Sequence, residues 1–324
     1  MESDMTLILE DKRLIFVGGK GGVGKCCKGN TLILTDRGLI KIEDIVHRQI
    51  DFNNRHIDHG QSSLYDDLYE SDDIDISEFL KEEDNNIKNI NNIISISPRL
   101  NYERYQITDR YDMGENDIIT IRTRLWLEIS GTPEHRVIII DNNGKLRFKK
   151  LQDISTSDYI AISYNTNIFN ERLKLNFFYR KKSQDYISQT LKNVDYMNPD
   201  IAELLGYIIA EANDDRDSVV ITNYDREIVD RILNICKNIN IDAREKYLDE
   251  KLVGVIISSV AFKGFAYYLG YRKLARNKEV PWAILQTDKD SQISFIRALF
   301  DSDGTVIYGD NNILVEYYSK EARN

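Results

Sequence analysis

Cysteine and histidine are scarce in this 324-residue sequence, which has three of the former and four of the latter. Two of the cysteines, Cys26 and Cys27, are adjacent, so they make a poor disulfide framework. The histidines give none of the Cys/His spacings typical of zinc sites. A disulfide-stapled fold and a structural zinc module are therefore excluded, and we expect reduced thiols.

Long apolar runs are absent as well. No stretch approaches the roughly 20 apolar residues that a bilayer span needs, and the mean hydropathy is -0.43. Residues 1 to 10 have neither a basic start nor a small-residue cleavage site, so they do not resemble a signal peptide. We therefore predict a cytoplasmic protein without a membrane segment. Its 42% hydrophobic content supplies cores for two or three domains.

The net charge of -10 lies in one segment. Between Asp51 and Asp84 there are twelve acidic and two basic residues, and the rest of the chain is balanced. Such a composition, rich also in Asn and Ser, is typical of a solvated loop or a disordered insertion. We predict an acidic insertion at about residues 47 to 100.

Residues 26 to 164 are predicted to form an all-β domain. Residues 31–35 and 39–42 flank Asp36-Arg37-Gly38 as a hairpin. Further strand-like runs follow the insertion at 118–123, 125–129, 137–140, 146–149 and 159–163. A turn at 141–144 separates two of these runs.

After a connector at residues 165–198, the pattern predicts an α+β domain at 199–324. Helical periodicity appears at 201–212, 225–238, 260–271 and 291–300. Strand-like runs at 218–222 and 252–258 lie between the early helices.

A phosphate-binding pattern lies near the start of the chain, at residues 1–25. The short strand 14–17 runs into Gly-Gly-Lys-Gly-Gly-Val-Gly-Lys at 18–25, a spacing with which backbone amides wrap phosphates. The candidate nucleotide-binding residues are Gly19, Lys20, Gly21, Gly22, Gly24 and Lys25. The loop resembles the variant form of the arsenite-pump and tail-anchored-protein-targeting ATPases, with Lys20 in the place of their signature lysine.

The pattern breaks at its next residue. Cys26 stands where Ser or Thr would supply a hydroxyl to magnesium, and sulfur is a soft ligand poorly matched to that cation. A phosphate loop also opens a helix, whereas Gly29-Asn30 leads into the predicted hairpin. These departures leave two readings: an ATPase with an odd loop, or an ATPase loop interrupted by another element.

The sequence from Cys26 onward resembles an intein. Cys26 to Thr31 is similar to the first intein block, and Gly131-Thr132-Pro133-Glu134-His135 is similar to the second. The resemblance implies a Hint-like β horseshoe over residues 26–164, and an N-terminal extein fragment at 1–25. In this reading Cys26 attacks the carbonyl of Lys25 and forms a thioester. His135 would protonate the departing nitrogen, and Thr132 would hold the oxyanion or the scissile amide.

Two later segments resemble the LAGLIDADG motifs of dodecapeptide homing endonucleases, namely 204–212 and 296–304. Small residues four apart, Gly206 with Ala210 and Ala298 with Ser302, predict two helix faces that can touch closely. Each segment ends in one carboxylate, so the metal ligands and catalytic acids would be Glu211 and Asp303. The segment 277–281 resembles the block with a catalytic lysine, assigned to Lys278.

Two features depart from this pattern. Ala212 follows Glu211 where the family has Gly, so a positive φ there would cause strain. The interval from Glu211 to Gln292 is 81 residues, but only 21 follow Asp303. We therefore expect a C-terminally truncated, incomplete endonuclease domain, from a gene fragment, a remnant or a split intein.

The expected function is that of an intein fragment with autocatalytic splicing chemistry and a DNA homing endonuclease. The expected cofactor is Mg²⁺ for the endonuclease and none for splicing, with ATP used only by the spliced host protein. The expected partners are double-stranded DNA at the intein-free insertion site and, for a split intein, a C-terminal intein partner. The alternatives are a P-loop ATPase of the arsenite-pump type and an inactive intein remnant.

Overall fold

The computed structural model describes residues 8–18, 27–45, 90–96, 101–107, 109–125, 127–162, 169–177, 191–215, 218–272, 278–308 and 313–317. The chain divides into two compact units. Unit 1 comprises residues 1–55, 87–168 and 323–324, and unit 2 comprises residues 56–86 and 169–322.

Unit 1 is built from short antiparallel strands. In chain order they are β1 (Ile8–Gly18), β2 (Cys27–Lys28), β3 (Leu32–Thr35), β4 (Gly38–Lys41), β5 (Asn92–Ile96), β6 (Tyr102–Gln106), β7 (Asp109–Arg122), β8 (Glu128–Gly131), β9 (Arg136–Ile140), β10 (Leu146–Lys150) and β11 (Tyr159–Ile160). A 3₁₀ turn, Leu151–Asp153, follows β10, and residues 42–45 make one helical turn.

The described strands of this unit form three sheets. Strands β1, β2, β8 and β7 close into a small barrel in that order, β4-β3-β5-β6 form a four-stranded sheet, and β10-β9-β11 form a three-stranded sheet. The described residues of this region are therefore mostly antiparallel strands. Its specific horseshoe arrangement stays a prediction.

The predicted turns of unit 1 are confirmed at two hairpins. The β3–β4 hairpin pairs Thr35 with Gly38, whose φ of 98° suits a residue without Cβ. In the β9–β10 turn, Asp141 Oδ1 accepts the backbone N–H groups of Asn143 and Lys145, each at 2.9 Å. This is how an aspartate side chain fixes a turn.

One predicted strand is misplaced, and the acidic insertion is described only at its end. The strand expected at 125–129 starts at Glu128 instead, since Leu125 lies in the turn and is 73% exposed. Residues 46–89, most of the expected insertion, lie outside the described part of the chain. The last part of the expected insertion forms β5, which pairs with β3 and β6.

Unit 2 is an α+β unit, as predicted. Its helices are α1 (Pro199–Glu211), α2 (Arg226–Asn238), α3 (Val260–Leu269), α4 (Trp282–Leu285) and α5 (Lys289–Asp303). Its strands are β12 (Ala212–Asp215), β13 (Ser218–Thr222), β14 (Ala243–Leu248), β15 (Lys251–Ile257), β16 (Gly304–Tyr308) and β17 (Ile313–Tyr317). Strands β12-β13-β15-β14 form one antiparallel sheet and β16-β17 another.

The long helices of unit 2 begin at the capping residues that the sequence offers. Asn198, Asp225, Ser259 and Asp288 each accept a hydrogen bond from a backbone N–H in the first turn of α1, α2, α3 and α5. Each such cap satisfies an otherwise orphaned donor and stabilises its helix by about 1 kcal/mol. Helix α3 ends at Gly270 with φ of 111°, the left-handed conformation that glycine adopts without strain.

One continuous hydrophobic core holds unit 2 together. Helices α1, α2, α3 and α5 all contribute to it, as do the buried faces of β13 and β15. Leu175 and Met197, from the range predicted as a connector, are also buried in this core. Part of that range therefore belongs to the folded unit. Among the described residues, no helix has the length and apolarity needed to cross a bilayer.

Candidate metal centre

Helices α1 and α5 pack closely along their small-residue faces. A Cβ added to Gly206 would lie 2.7 Å from the Cβ of Ala298 and 2.7 Å from the backbone oxygen of Phe295. Those distances are too short for any larger residue, so the glycine permits the helices to touch. The sequence prediction of two facing small-residue surfaces is confirmed here, and the contact fixes how the ends of the two helices are placed.

Both helices end in the same way, with an acid as the last helical residue and an extended residue after it. Glu211 is followed by Ala212 at φ -78° and ψ 142°, and Asp303 is followed by Gly304 at φ -78° and ψ 150°. Each extended residue then starts a strand, β12 or β16. The two carboxylates therefore occupy equivalent positions in a repeated helix–strand unit.

The expected strain at Ala212 is absent, so that expectation is wrong. Its negative φ lies in the extended region, which residues with a Cβ adopt readily. Its methyl group is buried in the core of unit 2. Gly304, by contrast, has no room for a methyl group, because an added Cβ would lie 2.4 Å from the Phe300 oxygen.

The two carboxylates and Lys278 interact electrostatically. Burial raises the pKa of Glu211, and the Asp303 carboxylate raises it further while Lys278 opposes both. Burial also raises the pKa of Asp303, against the influence of Lys278. Burial lowers the pKa of Lys278, opposed by the two acids. The structure thus brings together the three residues that the sequence predicted for this site.

A backbone contact that sequence reasoning did not anticipate anchors the lysine. Lys278 Nζ donates to the backbone oxygen of Ala210 at 3.3 Å. Ala210 precedes Glu211 in the last turn of α1, where helix carbonyls lack an intrahelical donor. The ammonium group is therefore held at the end of α1, beside the acid.

The donor set fits a hard divalent cation. Carboxylate oxygens are the ligands that Mg²⁺ prefers, and a cation would relieve the repulsion that raises the pKa of Glu211. The hydroxyl oxygen of Ser302, next to Asp303, is buried and has no hydrogen-bond partner. No three His, Cys, Asp or Glu side chains converge anywhere in the described part of the chain. A bound Mg²⁺ would therefore keep several waters, as it commonly does.

The residues predicted for the second site lie in unit 1 and are only partly described. Cys26 and the nucleotide-binding residues Gly19, Lys20, Gly21, Gly22, Gly24 and Lys25 fall outside the described residues. His135 is buried, and its backbone N–H donates to the Thr132 oxygen at 2.9 Å. The imidazole lies beside Cys27, with 3.7 Å between Sγ and Nδ1. Sequence reasoning had considered only Cys26.

The strands flanking the phosphate-binding pattern do not have the order of a phosphate loop. β1 precedes the pattern and pairs with β7, while β2 follows the pattern and returns antiparallel to β1, with Ile15 opposite Cys27. In a phosphate loop the strand leads into a helix whose N-terminus completes the anion site. Here the element described next is the two-residue strand β2, which the sequence did not predict.

No protein-family model matches the sequence. Over 95% of its length the chain is 23% identical to a replication factor C small subunit of Methanocaldococcus jannaschii, of which it covers 14%. Over 94% of its length it is 26% identical to a subunit of the A-type ATP synthase of Pyrococcus abyssi, of which it covers 28%. Over 62% of its length it is 27% identical to an ATP-dependent DNA helicase Hel308 of Methanocaldococcus jannaschii, of which it covers 15%. The chain thus spans less than a third of the length of these relatives.

Judged by the names of these relatives, the expected intein with a homing-endonuclease insert is wrong, both as a family and as an enzyme. The expected partners, an intein-free DNA site and a C-terminal intein half, are wrong for the same reason. The names favour the alternative of an ATPase-type protein. Short patterns such as a Thr/His turn or an acid at a helix end fix local geometry, and local geometry does not fix a protein's identity.

Proposed function

We propose that this chain hydrolyses a phosphate bond of a nucleotide substrate with a divalent cation held by Glu211 and Asp303. The observation that carries the proposal is the equivalent placement of these two acids at the ends of two helices in close contact. Phosphate-bond hydrolysis needs charge neutralisation and positioning more than covalent chemistry, and paired carboxylates supply both through a metal.

Each residue of the site has a separate role in this proposal. Glu211 and Asp303 hold Mg²⁺, which would polarise the phosphoryl group and favour deprotonation of an attacking water. Lys278 is held by the Ala210 carbonyl, so its ammonium group is positioned to bind a non-bridging phosphate oxygen or to donate a proton to the leaving oxygen. The lowered pKa of Lys278 favours the second role, because it makes the ammonium a stronger acid.

The substrate class follows from chemistry and from the names of the relatives. An ATP synthase and an ATP-dependent helicase are among them, so ATP is the first substrate to test. A plasmid presents the same phosphate oxygens to a metal site and serves as the comparison substrate.

The test is a hydrolysis assay on the purified chain with two substrates, ATP and a supercoiled plasmid, with Mg²⁺ or with EDTA. We expect Mg²⁺-dependent hydrolysis of ATP, reduced about 10²- to 10³-fold in Glu211→Gln and in Asp303→Asn, a typical loss for an electrostatic catalytic group. Asp301→Asn is the matched control, since Asp301 is an exposed acid in the last turn of the same helix. Absence of ATP hydrolysis, cleavage of the plasmid alone, or equal loss in the control would overturn the proposal.

The names of the relatives also favour a second candidate, ATP binding by the glycine-rich pattern at residues 18–25. The antiparallel return of β2 argues against it, because a strand takes the place of the expected helix. Lys25→Ala separates the candidates. A phosphate loop loses ATP binding in this variant, whereas a site at Glu211 and Asp303 retains it.

A further inference from the structure

We propose that Cys27 is a modification site, a reactive thiol that forms a mixed disulfide with a small-molecule disulfide. This inference concerns unit 1 and is independent of the hydrolysis proposed for unit 2. The thiol lies 3.7 Å from Nδ1 of His135, within hydrogen-bond range for sulfur. An imidazole at this distance can accept the thiol proton, and the thiolate is the form of cysteine that acts as a nucleophile.

The backbone holds the two side chains in place. Cys27 is paired on both sides, with Ile15 of β1 and with Gly131 of β8. The His135 N–H donates to the Thr132 oxygen, and the His135 oxygen accepts the N–H of Leu151 at 2.7 Å. The thiol and the imidazole are therefore positioned by strand register and by a turn.

A buried polar group lies in the same turn as His135. Thr132 directly follows Gly131, the cross-strand partner of Cys27, and its Oγ1 is buried with no hydrogen-bond partner. A buried hydroxyl without a partner is costly, so it is available to a group that enters the site.

The other described cysteine provides an internal reference. Cys236 is fully buried in the core of unit 2, and burial raises its pKa to about 12. Cys27 is only partly buried, so a reagent can reach it. Under one set of conditions the two thiols should therefore react at very different rates.

The chemical step is thiol–disulfide exchange. The Cys27 thiol gives its proton to His135, and the thiolate attacks one sulfur of a disulfide such as oxidised glutathione. A new sulfur–sulfur bond forms at Cys27 while the disulfide bond breaks, and the leaving thiolate takes up a proton. The disulfide is reduced and Cys27 is oxidised, so no further oxidant is needed.

The experiment treats the full chain with oxidised glutathione and locates the adduct by tandem mass spectrometry, which distinguishes Cys27 from the adjacent Cys26. The variants are Cys26→Ser, Cys27→Ser and His135→Gln, each checked for folding by circular dichroism. We expect Cys27 to be modified at least about tenfold faster than Cys236, both in the parent chain and in Cys26→Ser. His135→Gln should slow the reaction about tenfold and move its pH dependence toward that of an ordinary thiol, near 8.5.

Two results would overturn the proposal. One is an adduct on Cys26 or Cys236 with Cys27 unmodified. The other is a His135→Gln variant that is folded and modifies Cys27 at the parental rate with the parental pH profile. A buried structural thiol would give the first result, and a thiol that reacts without help from the imidazole would give the second.

Discussion

The two units of this chain are stabilised in different ways. The buried residues described in unit 2 form one continuous core, to which five helices, α1 to α5, and three strands, β12, β13 and β15, contribute. The buried residues described in unit 1 form two small clusters, one around Ile119, Val137 and Leu151 and one around Ile40, Ile45 and Ile90. In a shared core, the position of each helix depends on all the others. Where the clusters are small, the positions of side chains depend mainly on strand register.

This difference bears on the two candidate sites. Glu211 and Asp303 lie at the ends of helices held by the large core, so their placement depends on helix packing. Cys27 and His135 lie on a two-residue strand and in a turn, so theirs depends on a few backbone hydrogen bonds. Substitutions in the core of unit 2 should therefore affect its site strongly.

The largest expected effect is that of Phe295→Ala. Phe295 is 2% exposed and lies on α5 where that helix meets Gly206. Losing a buried ring leaves a cavity and should lower the free energy of unfolding by about 3–5 kcal/mol. Urea unfolding measures this free energy. Phe148→Ala in unit 1 is the control: Phe148 is 62% exposed, and its loss should cost about 0.5 kcal/mol or less. Equal losses of unfolding free energy in the two variants would contradict the difference between the two units.

Gly206→Ala should have the next largest effect. The added methyl group collides with Ala298 and with the Phe295 oxygen, so the helices must separate, at a cost of about 1–3 kcal/mol. Mg²⁺ affinity, measured by calorimetry, should fall together with stability. Adding Ala298→Gly removes one of the two collisions and should restore part of both. A double variant no better than the single one would show that the helices do not meet at this point.

Arg231→Lys should cost about 1 kcal/mol, as expected for a partly exposed charged pair. Arg231 Nε and Nη2 donate to the two carboxylate oxygens of Glu203 at 2.9 Å and 2.7 Å, and this paired geometry links α2 to α1. Lysine cannot reproduce it. Arg226→Lys is the comparison variant. The Arg226 side chain, which pairs with Asp230 and Glu245, is 56% exposed, so its replacement should cost less. Thermal unfolding should move more for Arg231→Lys than for Arg226→Lys.

The smallest expected effect concerns pH in the absence of divalent ions. Because the pKa of Glu211 is raised in the folded state, the stability that this group contributes is present below its ordinary value of 4.5 and is lost as pH rises through the raised value. Glu211→Gln should therefore stabilise the protein in EDTA near neutral pH and leave it unchanged in acid.

Glu245→Gln should change the stability near neutral pH in the opposite direction. The pKa of Glu245 is lowered by its hydrogen bond from Arg226, so its contribution is present above 4.5 and is lost as pH falls through the lowered value. Its removal should slightly destabilise the protein near neutral pH. Melting temperatures of both variants at pH 4 and pH 7.5 measure the difference, and shifts of the same sign would show that the pKa of Glu211 is not raised in the folded protein.

Local patterns in the sequence determined the secondary structure and the types of residue at the site. Helical periodicity, capping residues and the turns at residues 36–38 and 141–144 each act within a few positions, so they can be read without a structure. The small residues around Gly206 and the acids at both helix ends were visible in the same way. The strand predicted at 125–129 failed because an apolar Leu125 can also occupy an exposed turn.

Only the tertiary structure decided which distant residues meet. The contact between Gly206 and Ala298 spans 92 positions, and that between Cys27 and His135 spans 108. Both depend on how a whole core or a set of strands packs. The sequence named Cys26 as the nucleophile, and Cys26 lies outside the described residues. The register of β2 between β1 and β8 places the sulfur of Cys27 beside the imidazole.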